Sequence, residues 1–146
     1  MGNIVVDTNI VIRMRGVYKD FTDCFEQTRD IIILSNAILK EYESIAKSRI
    51  LLIRAFLSDL QDRNKLKIIN QSRIDAKYKL NTRKRHPSMP RDTSDNKFVT
   101  TAIACESQLI ISRDHHMTEI SPIRWNGSEC RVIEPQEYIT ENCPEM

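Results

Sequence analysis

The stretch at residues 92–117, DTSDNKFVTTAIACESQLIISRDHHM, decides the fold because it places two aspartates where an ordinary core would exclude them. On a helix of about 100° per residue, Val99 and Ala102 fall on one face, and Asp95 lies among such apolar residues. The run 109–112 then predicts a short buried strand, with Asp114 just beyond its end. A carboxylate on a buried face needs a compensating interaction, so this stretch suggests a functional site.

The amino-terminal residues supply a second strand that ends in an acid. The uniformly apolar run 4–6 predicts a strand covered on both faces, and Asp7 follows it. Thr8 or Asn9 can cap a short helix over 10–14, and a second helix is expected over 19–28. In open α/β sheets the ligand crevice lies beyond the carboxyl ends of the strands. We therefore expect Asp7 and Asp114 at one edge of a sheet.

The middle of the chain offers a third acidic candidate. Residues 31–34 predict a strand, after which Ser35 caps a helix whose apolar stripe is Ile38, Tyr42 and Ile45. Glu41 and Glu43 flank this stripe on opposite sides, and periodicity alone does not choose between them. A further helix is expected over 48–64, and residues 67–69 are either a short strand or the exit from that helix.

A basic segment, residues 76–91, precedes the acidic stretch and contains no acid. Pro87 and Pro90 indicate that its second half is a loop. The segment is either an ordinary solvated face or a surface that contacts an RNA backbone, and Tyr78, its only aromatic residue, gives no base-stacking platform. The RNA-binding candidates are Lys77, Lys79, Arg83, Lys84, Arg85 and Arg91.

The remaining pattern completes an α/β fold. Residues 122–128 predict a loop, 131–133 a last strand, Pro135 the start of a helix, and 142–146 a frayed tail. Short strands separated by helices predict a three-layer α/β/α sandwich around a central, mostly parallel twisted sheet. We expect residues 1–146 to form a single domain.

Composition narrows the class of protein. The chain has 146 residues and a net charge of +2, too small to indicate nucleic-acid binding unless the charge is locally concentrated. It contains no apolar run long enough to span a bilayer and no secretory leader, so we expect a cytoplasmic protein without membrane attachment. The four cysteines are widely spaced and fit neither a zinc ribbon nor a dense disulfide framework. They are interpreted as buried or incidental thiols.

An acidic cluster at the sheet edge would favour a hard divalent cation. Taken singly, each aspartate has an ordinary structural explanation. Asp7 can cap a helix, Asp95 can be stabilised by a helix dipole, and Asp114 can be a turn residue. Their joint placement at one sheet edge favours a functional site. Neighbouring carboxylates repel one another, and oxygen ligands select Mg²⁺ or Mn²⁺. Such ions activate water and stabilise the oxygens of a phosphodiester displacement.

Four segments, in order along most of the chain, resemble motifs of the PIN domain family. IVVDTNIVI at 4–12 carries over the first acid of that family to Asp7, and SNAILKEYESI at 35–45 carries over the second to Glu41 rather than Glu43. DTSDNKFVTTAIA at 92–104 gives Asp95, and IISRDHHM at 110–117 gives Asp114. His116 stands where many members have a further aspartate.

The resemblance implies a metal-dependent endoribonuclease similar to VapC-like toxins of toxin–antitoxin pairs. It implies Mg²⁺ or Mn²⁺ held by the four acids, RNA products with 5′-phosphate and 3′-hydroxyl ends, an antitoxin partner and a homodimer. The alternative is a catalytically silent scaffold of the same fold that binds RNA or protein. A phosphatase of small phosphoesters ranks last, because the chain has no second aspartate two residues after Asp7 and no glycine-rich phosphate loop.

Overall fold

A computed structural model describes residues 2–146, which form a six-stranded sheet with helices on both faces. The strands are β1 (Asn3–Val6), β2 (Ile31–Ser35), β3 (Leu66–Ile69), β4 (Leu109–Ile111), β5 (Ile123–Trp125) and β6 (Ser128–Ile133). Their order in the sheet is β3-β2-β1-β4-β6-β5. All neighbouring strands are parallel except β5, which runs antiparallel to β6 at one edge. The predicted α/β class with a mostly parallel sheet is confirmed.

The helices form two groups, one on each side of the sheet. The helices are α1 (Thr8–Val11), α2 (Lys19–Gln27), α3 (Asn36–Ala46), α4 (Ile50–Asp62), α5 (Gln71–Asn81), α6 (Asn96–Ala104), α7 (His115–Thr118) and α8 (Pro135–Asn142). The chain passes through α1–α4 as it goes from β1 to β2 and on to β3 at one edge of the sheet, and it passes through α5 and α6 as it goes back to β4 on the other side of β1. Because the direction along the sheet reverses, right-handed crossovers put these two groups of helices on opposite faces. No helix within residues 2–146 is both long and apolar enough to cross a membrane.

The sheet centre is built from the apolar runs that the sequence displays. Val5 and Ile110 pair in register, and both are fully buried. Strands covered on both faces are uniformly apolar, and adjacent parallel strands share an edge at their carboxyl ends. The backbone N–H of Asp7 continues the ladder by donating to the carbonyl of Ile111 at 2.9 Å. The residues after β1 and β4 are thereby fixed side by side.

Three predicted elements differ from the structure. The loop expected over 122–128 contains β5 and the tight turn of a hairpin, in which Asn126 and Gly127 have φ of 32° and 81°. Asn-Gly is a strong hairpin signal. The strand before it is hard to recognise, because its only apolar residues are Ile123 and Trp125, on either side of Arg124. Ile45, predicted to face the core, is 48% exposed. Asp7, rather than Thr8 or Asn9, occupies the N-cap position of α1.

The basic segment is part helix and part loop. Residues 76–81 form the end of α5, and the loop begins at Thr82. The side chain of Asn81 donates to the carbonyl of Ile103 at 2.8 Å, in the last turn of α6. The loop then returns the chain to the beginning of α6.

The expectation of a frayed tail is wrong at Cys143. This residue is buried and forms a disulfide with Cys24 of α2, with the two Cα atoms 5.9 Å apart. The prediction that all four cysteines are free thiols is therefore wrong for Cys24 and Cys143, whereas Cys105 and Cys130 are free. The disulfide fastens the end of α8 to α2, against which α8 packs.

Candidate active site

Four acidic side chains from different elements converge at the carboxyl edge of the sheet. Asp7 follows β1, Asp114 follows the neighbouring β4, Asp95 immediately precedes α6, and Glu41 lies on α3. Their negative charges act on one another: the charges of Asp7, Asp114 and Glu41 raise the pKa of Asp95. The structure thus places the four proposed acids within electrostatic range of one another, and their joint role in one site stays a prediction.

Asp7 is the most deeply placed of these acids. It is 6% exposed, and the hydroxyl of Ser112 donates to its Oδ2 at 2.8 Å. Burial raises its pKa above the ordinary value, and the charges of Glu41 and Asp114 add to this increase. The hydrogen bonds from Ser112 and from the backbone of Asn9 act in the opposite direction. A buried carboxylate that is only partly compensated favours binding of a cation.

Asp95 is a strongly perturbed carboxyl group. Burial, followed by the charges of the neighbouring acids, raises its pKa to about 6. Its Oδ2 atom is buried and accepts no hydrogen bond within residues 2–146. Buried polar atoms are nearly always satisfied, so an orphaned carboxylate oxygen needs an explanation.

Glu41 and Glu43 have different surroundings, which periodicity could not distinguish. Glu41 accepts a hydrogen bond from the hydroxyl of Thr8 and a charged one from Lys97, whose Nζ lies 2.6 Å from Oε1. Glu43 instead pairs with Arg54 on the outer side of α3 and α4. The geometry therefore places Glu41, the residue that the family motif selects, with the other acids.

Asp114 is held by the backbone around it. Its Oδ1 accepts from the N–H of His116 at 2.9 Å, which caps α7. Its own N–H donates to the hydroxyl of Ser112 at 3.1 Å. Ser112 is fully buried and links Asp7 to Asp114, because the same hydroxyl donates to one residue and accepts from the other.

Sequence reasoning missed two contributors to this site. Tyr42 is fully buried, and its hydroxyl donates to the carbonyl of Val6, which ties α3 to the end of β1. Its pKa lies well above the ordinary value because of burial and the charges of Asp7 and Glu41. Lys97 is the second residue of α6 and pairs with Glu41. The sequence contained one signal for Lys97: it lies two residues after Asp95, at the start of a largely apolar helix.

The donor set fits a hard divalent ion by its chemistry. The four acids offer only oxygen ligands, and Asp95 Oδ2 has no competing donor. Within the part of the chain described, however, no three His, Cys, Asp or Glu side chains are spaced to hold one ion as they stand. Lys97 neutralises Glu41 in this arrangement, so the acids would have to close around an ion.

The basic candidates do not all lie beside the acids. Lys77 and Lys79 are exposed on α5, and Arg83, Lys84 and Arg85 are exposed at the start of the loop. Arg91 pairs with Glu119, the residue after α7, and donates from Nε and Nη2 to its carboxylate oxygens at 2.7 and 2.6 Å. Asp92, next in sequence, caps the turn before α6 by accepting from Ser94.

An apolar groove, separate from the acids, lies between α4 and the segment from α1 to α2. Its volume is about 380 Å³. Val17 and Leu52 are 78% and 63% exposed, so two large apolar side chains lie exposed in one groove. The apolar lining residues are Val11, Ile12, Val17, Leu52, Ile53 and Phe56, and the charged ones are Arg13, Arg15 and Arg49.

Comparisons with known proteins agree with this architecture. A chain in the crystal structure of VapBC2 from Rickettsia felis bound to a DNA fragment from their promoter matches with a TM-score of 0.55 and 12% sequence identity. The match covers 90% of this chain and 98% of that chain, and at this identity it shows the fold alone. No curated protein matches the sequence. The model of the PIN domain family matches residues 3–116, and the chain belongs to this family.

Proposed function

We propose that this protein is a metal-dependent endoribonuclease in which Asp7, Glu41, Asp95 and Asp114 hold one or two Mg²⁺ or Mn²⁺ ions. The observation that carries the proposal is Asp95. Its pKa of about 6 reflects burial and the charges of four other acids, and its Oδ2 accepts no hydrogen bond within the described residues 2–146. PIN domains are generally nucleases, and perturbed carboxyl groups at the carboxyl edge of a parallel sheet are typical of functional sites.

The reaction proposed is hydrolysis of an RNA phosphodiester. A divalent ion would lower the pKa of a water molecule and offset the negative charge of the phosphate. The water oxygen forms a bond to phosphorus, the bond from phosphorus to the 3′-oxygen breaks, and that oxygen takes up a proton. The products carry 5′-phosphate and 3′-hydroxyl ends.

The residues around the acids set the positions of their oxygens. Ser112 orients Asp7 with its hydroxyl, and Thr8 does the same for Glu41. The N–H of His116 fixes Asp114. Such supporting hydrogen bonds hold metal ligands in productive orientations, whereas the buried Oδ2 of Asp95 accepts no hydrogen bond within residues 2–146.

We also propose that the loop after α5 contacts the RNA backbone. Arg83, Lys84 and Arg85 are consecutive and exposed, and this loop leads directly to Asp92 and Asp95. Phosphate contacts made by such cations position RNA without reading its sequence.

An antitoxin is the partner that we propose for the apolar groove. The matching Rickettsia felis structure is a VapBC2 complex. In this chain, exposed Val17 and Leu52 would pack against apolar residues of a partner, and Arg13, Arg15 and Arg49 would attract its acidic residues. A second copy of the chain, forming a homodimer, is the competing occupant.

The test is cleavage of a labelled single-stranded RNA in Mg²⁺, Mn²⁺ or EDTA. We expect the parent to cut only with a divalent ion, and Asp95→Asn to reduce the rate at least about 100-fold. Asp62→Asn is the matched control, because Asp62 is exposed at the end of α4, and it should cut normally. A folded parent that binds several RNAs but cuts none would instead support the scaffold function.

A further inference from the structure

Lys97 is the one lysine or arginine within residues 2–146 that forms an ion pair with any of the four acids. It approaches Glu41 from the first turn of α6, and its Nζ lies 2.6 Å from Oε1. The same ammonium donates to the carbonyl of Ser94. The side chains of Lys97 and Glu41 are only 22% and 24% exposed, so solvent screens this pair less than the other ion pairs of the protein.

The contacts of Glu41 are complete without any metal. Its Oε2 accepts from Thr8 and its Oε1 from Lys97. Asp95 differs, since its Oδ2 accepts no hydrogen bond from any residue between 2 and 146. A divalent ion that binds Asp95 can therefore recruit Glu41 only by competing with the ammonium of Lys97. Two cations on one carboxylate repel each other strongly at such distances.

We propose that Lys97 is an internal counter-ion that occupies Glu41 in the metal-free site and is displaced when a divalent ion binds. Lys97 is thus a positioning residue that acts through Glu41 and sets the metal affinity of the site. This inference rests on the proposed function, because it requires that the acids bind a divalent ion. The long side chain of lysine makes the exchange feasible, since its ammonium can turn toward solvent without movement of α6.

The test measures Mn²⁺ affinity by calorimetry on the full chain, without RNA. Lys97→Met retains the apolar stem and removes the charge, and we expect it to tighten Mn²⁺ binding about tenfold. Lys97→Arg should stay close to the parent because it keeps the cation. Lys40→Met is the matched control: Lys40 is exposed on α3 beside Glu41 in sequence and pairs with no acid within residues 2–146, so its loss should change the affinity less than about twofold.

A double-mutant cycle tests whether Lys97 acts through Glu41. In a Glu41→Gln background the same Lys97→Met change should tighten Mn²⁺ binding by much less than tenfold, because no carboxylate remains at position 41 for the two cations to share. Circular dichroism and thermal unfolding check that each variant is folded.

The outcomes separate this inference from the proposed function. Unchanged or weaker Mn²⁺ binding in folded Lys97→Met would overturn the counter-ion role while leaving the nuclease proposal intact. Tighter binding in a protein that cuts no RNA would support the counter-ion role and count against the nuclease. A parent that binds no Mn²⁺ at all would overturn both.

Discussion

At the scale of single residues, Glu41 and Glu43 show what a sequence pattern can predict and what it cannot. Both flank the apolar stripe of α3, so helical periodicity could not choose between them, whereas the family motif selected Glu41. The choice depends on α1 and α6, which bring Thr8 and Lys97 to Glu41. These contacts join residues far apart in sequence, and no local pattern encodes them.

The two glutamates provide a matched pair of variants. We expect Glu41→Gln to slow RNA cleavage at least about 100-fold, because it removes a charge from the proposed metal site. Glu43→Gln should cut at the parent rate and lose at most about 1 kcal/mol of stability, since its partner Arg54 is largely exposed. Initial rates and thermal unfolding measure both effects. Equal loss of activity in the two variants would contradict the placement of the site.

The raised pKa values of Asp95 and Asp7 predict an unusual pH dependence of stability. The pKa of Asp95 is about 6 against an ordinary value of 3.8, so between about pH 4 and 6 the folded chain binds more protons than the unfolded chain. Stability contributed by this group is therefore present at low pH and is lost as pH rises through that window. Asp7 shifts in the same direction.

We accordingly expect Asp95→Asn to gain in melting temperature relative to the parent as pH rises from 4 to 7 in EDTA. Thermal unfolding across a pH series measures this difference, and the comparison removes the titration of groups that do not interact with Asp95. Mn²⁺ should raise the melting temperature of the parent at pH 7 and have little effect on the variant. A constant difference between the two proteins at every pH would refute the assignment.

At the scale of elements, the buried parallel strands were the most predictable feature. β1, β2 and β4 consist of apolar runs that fit burial on both faces. β5 was missed because only Ile123 and Trp125 are buried, and Arg124 between them points outward. A strand of three residues leaves too short a pattern, so the Asn-Gly turn was the better signal.

The loop half of the basic segment gives a prediction about RNA affinity. Replacing Arg83, Lys84 and Arg85 together with alanine should weaken RNA binding and reduce the salt slope by about 2, at roughly 0.7 per lost phosphate contact on a single strand. The cleavage rate at saturating RNA should stay unchanged, because we propose that these residues contact the RNA backbone and not the reacting phosphate. Fluorescence anisotropy over a salt series measures the slope. A triple variant at Arg29, Lys40 and Lys47, exposed cations outside the segment, should leave the slope closer to that of the parent.

The disulfide between α2 and the end of α8 predicts a redox-dependent stability. Spacing could not reveal it, because Cys24 and Cys143 are separated by 119 residues and meet only when α8 packs on α2. Cys143→Ser should lose about 2–4 kcal/mol in oxidising buffer. Dithiothreitol should lower the melting temperature of the parent and leave this variant unchanged. Cys105→Ser, which alters a free thiol, should retain the full response to reductant.

At the scale of the whole molecule, the acidic edge and the apolar groove are two distinct surfaces. The acids lie beyond the strands, whereas the groove is lined by α4 and the segment joining α1 to α2. Composition could not predict the groove, because residue type alone does not distinguish an exposed leucine such as Leu52 from a buried one. Its exposure of 63% becomes apparent only once the packing of α4 is known.

A substitution in the groove should therefore separate partner binding from catalysis. We expect Leu52→Glu to weaken binding of the product of a neighbouring antitoxin gene at least tenfold, because it buries an acid against apolar residues and repels an acidic partner. RNA cleavage by the free protein should be unchanged. Co-purification and calorimetry measure the binding, and Leu80→Glu on α5 is the control, since Leu80 is equally apolar, 53% exposed and outside the groove.

A measurement of the oligomeric state shows which of the two candidate partners, the antitoxin or a second copy of this chain, binds in the groove. If the purified protein is a dimer that Leu52→Glu converts to a monomer, the groove binds a second copy, and the antitoxin proposal for this surface fails. If the parent and Leu52→Glu have the same mass by light scattering and only the partner is lost, the cationic rim of Arg13, Arg15 and Arg49 supplies the reason, because two such rims facing each other in a symmetric dimer would repel.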